Sequence, residues 1–436
     1  MATPVPVQPT AAERTLSDLF ETRADGFTEA PLDATRRVAF ARFAETGLPH
    51  RRVEAYRYTD LKARLRTLPP AAGVMSEADI ETALAANPPL TAGAARIVLA
   101  NGRLVAEHST APGGVALTSI LEPDDDSADI GALVAAHDDA LTLANISLFE
   151  GGAVLRIDGI AGAPVEIVHI MSPATLTMGR LAVFLADGAQ ANVVERFIGG
   201  EDGVGNHLAE ITLGAGASLE WARIVEGASD GTTLFSTHHL RIAENTRLDH
   251  TTLSTGKGLN RNQIFAHVHG DEADTNFRAA TVAVGKRHAD NTLVMRHNSL
   301  DCQSSEVFRT AVGSGGTAII QGRIIVDPGA QKTDAKMMSN ALYLDDDGEV
   351  VNKPELEIFA DDVQCGHGAT SGDLDEEPVF YLRARGIPLA AARRMLVEAF
   401  LVEGLDKVSD EALAEKLADV LRAALGEALG VTAEAA

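Results

Sequence analysis

The sequence is short of cysteine, of aromatic side chains and of positive charge, and each shortage narrows what the chain can be. Only Cys302 and Cys365 occur among 436 residues, which suggests no disulfide framework and fits the reducing cytosol. One Trp and four Tyr leave few rings to stack a sugar, which argues against a stand-alone carbohydrate-active enzyme of the β-helix type. Lys and Arg total 37 against 62 Asp and Glu, a formal net charge of −25, so neither nucleic acid nor an anionic membrane surface is an expected partner. No apolar run approaches a bilayer span. The opening MATPVPVQPTAAERT has neither a basic start nor an apolar signal core.

What is present divides into three parts. Near the start, Asp33 precedes an apolar pattern through Val38, Phe40, Phe43 and Ala44 that stops at Gly47 with Pro49 beyond, which predicts a helix. Near the end, Pro388 opens a predicted helix carrying Leu389, Met395, Leu396, Ala399 and Phe400. A further helix carries Leu413, Leu417, Leu421 and Leu425 on one face. Between Val165 and Ile358 the apolar period falls to two, in short runs such as VEIVHI, LAVFLA, LEWARIV and TAIIQGRIIV broken by Gly, Asp and Asn. No helical pattern interrupts these strands, so a βαβ sheet is disfavoured. Few aromatics and many small turn residues suit a solenoid, although periodicity alone leaves a sandwich open. The boundaries expected are a mainly helical region with a small β segment over 1–145, a β core over 146–372 and a helical region over 373–436.

Chemistry concentrates at Cys365 and His367, two soft-metal ligands one residue apart. On an extended segment they share a face. Leu356, Ile358 and Ala360 set the inward face of the preceding run. If that parity continues past Asp361 and Asp362, both ligands point outward. The flanking Gly366 and Gly368 permit unusual dihedrals there. A thiolate and an imidazole make half of a four-coordinate site, so the remaining ligands must come from elsewhere.

Around this pair the sequence is similar to the SufB/SufD family of iron–sulfur cluster assembly proteins. The likeness runs through DPGAQKTD at 327–334, KPELEI at 353–358, ADDV at 360–363, HGAT at 367–370, LDEE at 374–377 and FYLRARG at 380–386. GLP at 47–49 and EAYRYTDL at 54–61 resemble the segment that opens SufD-type members. SufB-type members are generally richer in cysteine, so the resemblance is to the SufD branch; a SufB-like homodimeric scaffold is the rival. The family usually has Ser where this chain has Gly366.

The resemblance implies a mainly β fold, a right-handed parallel β-helix flanked by N- and C-terminal α-helical regions. It also implies a scaffold with no catalytic activity of its own, pairing with SufB through the β-helix and docking the ABC-type ATPase SufC on the C-terminal helices. Isolated, the chain is a possible homodimer. Cys365 and His367 would then hold iron or a transient iron–sulfur cluster at the subunit interface, with no tightly bound cofactor in the isolated chain. Phe380, Tyr381 and Leu382, a short apolar run between an acidic helix start and Gly386, are the expected SufC contact. The absence of G-x-x-x-x-G-K-[ST] agrees with ATP hydrolysis on another chain.

Other motifs read as structural. His267 and His269 form H-x-H on one strand face, with His238-His239 upstream, and all four are expected to be solenoid surface or turn histidines. Cys302 reads as a packed thiol, the 313–316 Gly-Ser-Gly-Gly stretch as a turn, and Asp345-Asp346-Asp347 as a solvated turn.

Overall fold

The computed structural model describes residues 8–28, 30–122, 130–131, 133–134 and 137–429. Sixteen strands, β4 (Gly151–Ile157) to β19 (Gln364–Asp373), alternate between two sheets, so that two strands make one coil and eight coils stack as a solenoid. Within the odd sheet and within the even sheet these strands pair in parallel. The predicted runs VEIVHI, LAVFLA, LEWARIV and TAIIQGRIIV all fall in these strands. Alternation sends every second side chain into the space between the sheets, where Ile167, Val183, Ile211, Leu240, Met295 and Ile324 join one continuous core.

The two ends differ. At the N-terminal end β1 (Ala95–Ala100) adds in parallel to β5 (Val165–Met171). There β2 (Arg103–Leu104) pairs antiparallel with β1, and β3 (Val115–Ser119) pairs antiparallel with β4. At the other end β18 (Glu349–Ile358) and β19 are the last members of their sheets, and among the described residues no strand pairs beyond them.

Helices cover both outer faces. α1 (Ala11–Ala24), α2 (Pro31–Thr46) and α5 (Ala140–Leu148) lie over the even sheet, burying Leu16, Phe43 and Leu143 against Leu176, Met178, Leu208 and Phe235. α1 opens with a capping box, Thr10 and Glu13 each bonding the other's backbone N–H, and Glu13 also accepts from Leu48 N at 2.9 Å. α2 begins two residues before Asp33, because Pro31 fits the first turn. Asp33 instead accepts from Thr28. Gly47, at φ +64°, ends the helix as expected. α3 (Leu61–Arg64) and α4 (Glu77–Ala86) complete the N-terminal region.

α6 (Glu376–Ala384) packs against α7 (Leu389–Val402), which together with α8 (Glu411–Leu429) lies over the odd sheet. Leu413, Leu417, Leu421 and Leu425 are all buried there with Ile224, Leu253 and Val282. On α7 the buried face is Ala392, Val397 and Leu401, while the expected Leu389 and Met395 stay exposed. The predicted face was turned by one position, because the helix meets an outer sheet face already shared with α8.

Candidate functional site

Inward side chains on successive odd strands stack in rows, and one row reaches the solenoid's open end. It runs Trp221, His250, Phe277, Glu306, Met337, His367 on β9 (Ser218–Val225), β11 (Arg247–Ser254), β13 (Asp274–Val284), β15 (Gln303–Gly313), β17 (Asp334–Tyr343) and β19. The neighbouring row ends Ser304, Ala335, Cys365. Trp221, Phe277, Ala335 and Met337 belong to the core, so Cys365 and His367 face inward, not outward as the parity argument expects. The reason is the corner: Ala360 and Val363 both pack on the core although three residues apart, so the Asp361-Asp362 turn reverses the parity of everything after it. The shared face is kept. Because no coil of the described residues lies beyond, His367 is exposed and Cys365 half-buried even though both point along the core.

Burial pushes the Cys365 thiol up, with the acidic neighbours Asp334 and Glu306 acting in the same direction and the Ala335 backbone N–H opposing them. The thiol therefore rests protonated, and a metal must displace its proton. Gly366 and Gly368 lie in the strand without positive φ, so the unusual dihedrals that glycine permits are not used here. A Cβ on Gly366 would meet nothing within 4 Å, so the family's usual Ser fits the same backbone. A Cβ on Gly368 would press on the Met338 thioether at 2.8–2.9 Å. Around the mouth Ile358, Phe359 and Met338 are exposed. On the outer face Arg323 binds Glu355 and Glu357, and Lys353 binds Glu54 at 3.0 Å, tying the N-terminal segment to the last coil.

Deeper inside, the core is polar where the sequence showed only isolated histidines. His238 and His239, expected at the surface, are buried. His239 lies under α5, bonded to Thr142 at 3.0 Å. His238 lies between the sheets, with Nε2 2.9 Å from Glu195 and Nδ1 3.0 Å from His250 Nε2. Glu195 also meets His169 at 3.0 Å and accepts from the Trp221 indole at 3.3 Å. Burial alone would raise the Glu195 carboxyl, but its close interaction with the His238 ring and its hydrogen bonds with His169 and His238 hold it well below the usual range. Glu306 has no such support. Neither of its oxygens has a well-formed hydrogen bond, and burial pushes it up to about 8 against the smaller pull of a loose contact with Ser304 and of the Arg278 charge. These buried polar rows carry no motif in the linear sequence; only the strand register aligns them.

Cys302 and the two turn motifs sit as read. Cys302 is packed in the core with Sγ against the carbonyls of Gly270 and Leu300. The Ser314 and Asp345 turns bond one another, Ser314 N donating to Asp345 at 2.7 Å. On α6, capped by Asp375, Val379 is buried while Phe380 and Tyr381 are 74% and 56% exposed, with Arg385 over the Tyr381 ring; Leu382 is half-buried.

Comparison with known proteins agrees with this architecture. Residues 168–400 match the family described as SUF system FeS cluster assembly, SufBD core domain, and residues 10–68 match the SufBD protein N-terminal region. The iron–sulfur cluster assembly protein SufD of Escherichia coli is 30% identical over 387 residues, 85% of this chain and 88% of that protein. The protein of the same name from Bacillus subtilis is 23% identical over 71% of this chain and 73% of its own length. Protein ABCI7, chloroplastic, of Arabidopsis thaliana is 30% identical over 52% of this chain and 49% of its own length. With its core and N-terminal models both matched in order and a relative aligned along most of both chains, this protein belongs to the SufBD family of iron–sulfur cluster assembly proteins.

Proposed function

We infer that the chain is a SufD-type scaffold subunit without catalytic activity, pairing with SufB through the bare end of its solenoid and docking the SufC ATPase on its C-terminal helices, in the cytosol. The observation that carries this reading is the place of Cys365 and His367 on the last, unpaired rung of the odd sheet. An edge strand offers unpaired backbone N–H and C=O groups to another chain. A partner rung laid on β19 completes the sheet and brings its own ligands beside these two. The nascent cluster is then cargo held between subunits, with thiolate and imidazole from this side. Among the described residues no helix is long and apolar enough to cross a membrane.

Phe380 and Tyr381 support the second contact, since they project from a helix whose buried side is Val379 alone. Deleting residues from 377 onward is a poor test. It would strip the four buried leucines of α8, each worth about 2 kcal/mol, from the odd sheet. Point substitutions avoid this. In complexes purified with their co-expressed partners, His367→Ala keeps SufB but loses iron and labile sulfide, while Phe380→Asp with Tyr381→Asp loses the ATPase and keeps SufB. Wild-type iron and sulfide in both Cys365→Ala and His367→Ala overturns the ligand role.

A further inference from the structure

His267 and His269, at the end of β12 (Leu259–Val268), share the outer face of the even sheet, and their ring centroids are 3.8 Å apart. His267 is partly exposed and His269 exposed. His267 Nε2 lies 2.5 Å from Asn298 Oδ1. An amide oxygen only accepts, so Nε2 carries the proton and Nδ1 keeps the lone pair. A hydrogen bond on one ring nitrogen that frees the other is how metal-binding histidines are oriented.

The surroundings keep both rings neutral. His269, although exposed at its edge, is lowered by partial burial of its ring and by the neighbouring His267 and Arg241, and His267 is lowered because burial outweighs the hydrogen bond of Asn298 and the charge of Asp327, with Arg296 and Arg241 adding to burial. Arg241 and Arg296 flank His267 in register on the strands either side. Arg296 is tied to Asp327 by two bonds of 2.8 Å, which offsets its charge.

We propose that His267 and His269 form a surface site for a borderline divalent transition metal of the zinc or nickel type, water filling the other coordination positions. Paired neutral imidazoles are the ligand class such ions prefer. Two uncharged ligands beside Arg241 make it an exchangeable site, unlike a closed four-ligand structural one.

Zinc titration of the full chain by calorimetry tests this, in a background carrying Cys365→Ala, His367→Ala and Glu81→Gln. The last substitution removes the group Glu77, Glu81, His108, whose ligand atoms lie within 4.8 Å of one another. Expected are about tenfold or more weakening of zinc binding in His269→Ala, about tenfold in Asn298→Ala, and tightening in Arg241→Ala. His269 is exposed, so its loss leaves the melting temperature unchanged without metal. Zinc affinity that His269→Ala does not alter, or that Arg241→Ala does not raise, overturns the proposal.

Discussion

Replacing Glu306 by Gln should stabilise the protein at neutral and alkaline pH and do little at pH 5. The carboxyl is fully buried between the Phe277 and Met337 rungs, and neither oxygen has a well-formed hydrogen bond. Its pKa rises from 4.5 to about 8. The folded state therefore holds a proton that the unfolded chain releases, and between those two values stability falls as pH rises. At 1.36 kcal/mol per unit, the ceiling of this loss is about 5 kcal/mol, and between pH 5 and 7.5 it is about 3 kcal/mol. Gln has the same shape and no proton to lose. Urea unfolding of both proteins from pH 5 to 8.5 should show midpoints that coincide at the acid end and separate progressively, with Glu306→Gln the more resistant. Parallel curves across that range would show that Glu306 is ionised in the fold and that its burial is compensated.

Acid should act in the opposite sense through His238, His288 and His297, each held neutral in the fold by burial, with pKa near 4 against 6.5. Through these three groups alone the unfolded chain binds up to three more protons in that window, and His207, His239 and His250, lowered further still, act in the same direction. Stability should fall with pH below 6.5 by up to about 4 kcal/mol per unit from these three, less the contrary contribution of Glu306, and a melting temperature that does not drop between pH 6.5 and 5 refutes it. Gly152→Ala should cost about 1–3 kcal/mol, because the new Cβ would press on the backbone carbonyl of Arg180, which cannot rotate away, whereas Gly366→Ser should stay within about 0.5 kcal/mol; equal denaturation midpoints for the two variants contradict the packing described.

Strand existence was legible because alternation is a local property, and the terminal helices because their start and stop residues act locally. Gly47 and the α8 leucines needed no tertiary information. The facing of Cys365 and His367 was not legible, since it depends on how many residues the Asp361-Asp362 corner consumes. A solenoid corner has no period to count. His238 was misplaced for a related reason: a histidine beside a histidine looks like surface until register sets it opposite Glu195 and His250. The ligand pair itself stood out only because soft ligands are scarce here.

The unequal ends of the solenoid also limit stoichiometry. A stack of coils bare at both ends is a monomer for linear polymerisation, each added unit presenting a fresh edge to the next. Here β2 and β3 run antiparallel to the strands they cover, and among the described residues only β18 and β19 offer a parallel continuation. Joining two such bodies through β18 and β19 would use the parallel edge of each and leave only the antiparallel β2 and β3 strands facing outward.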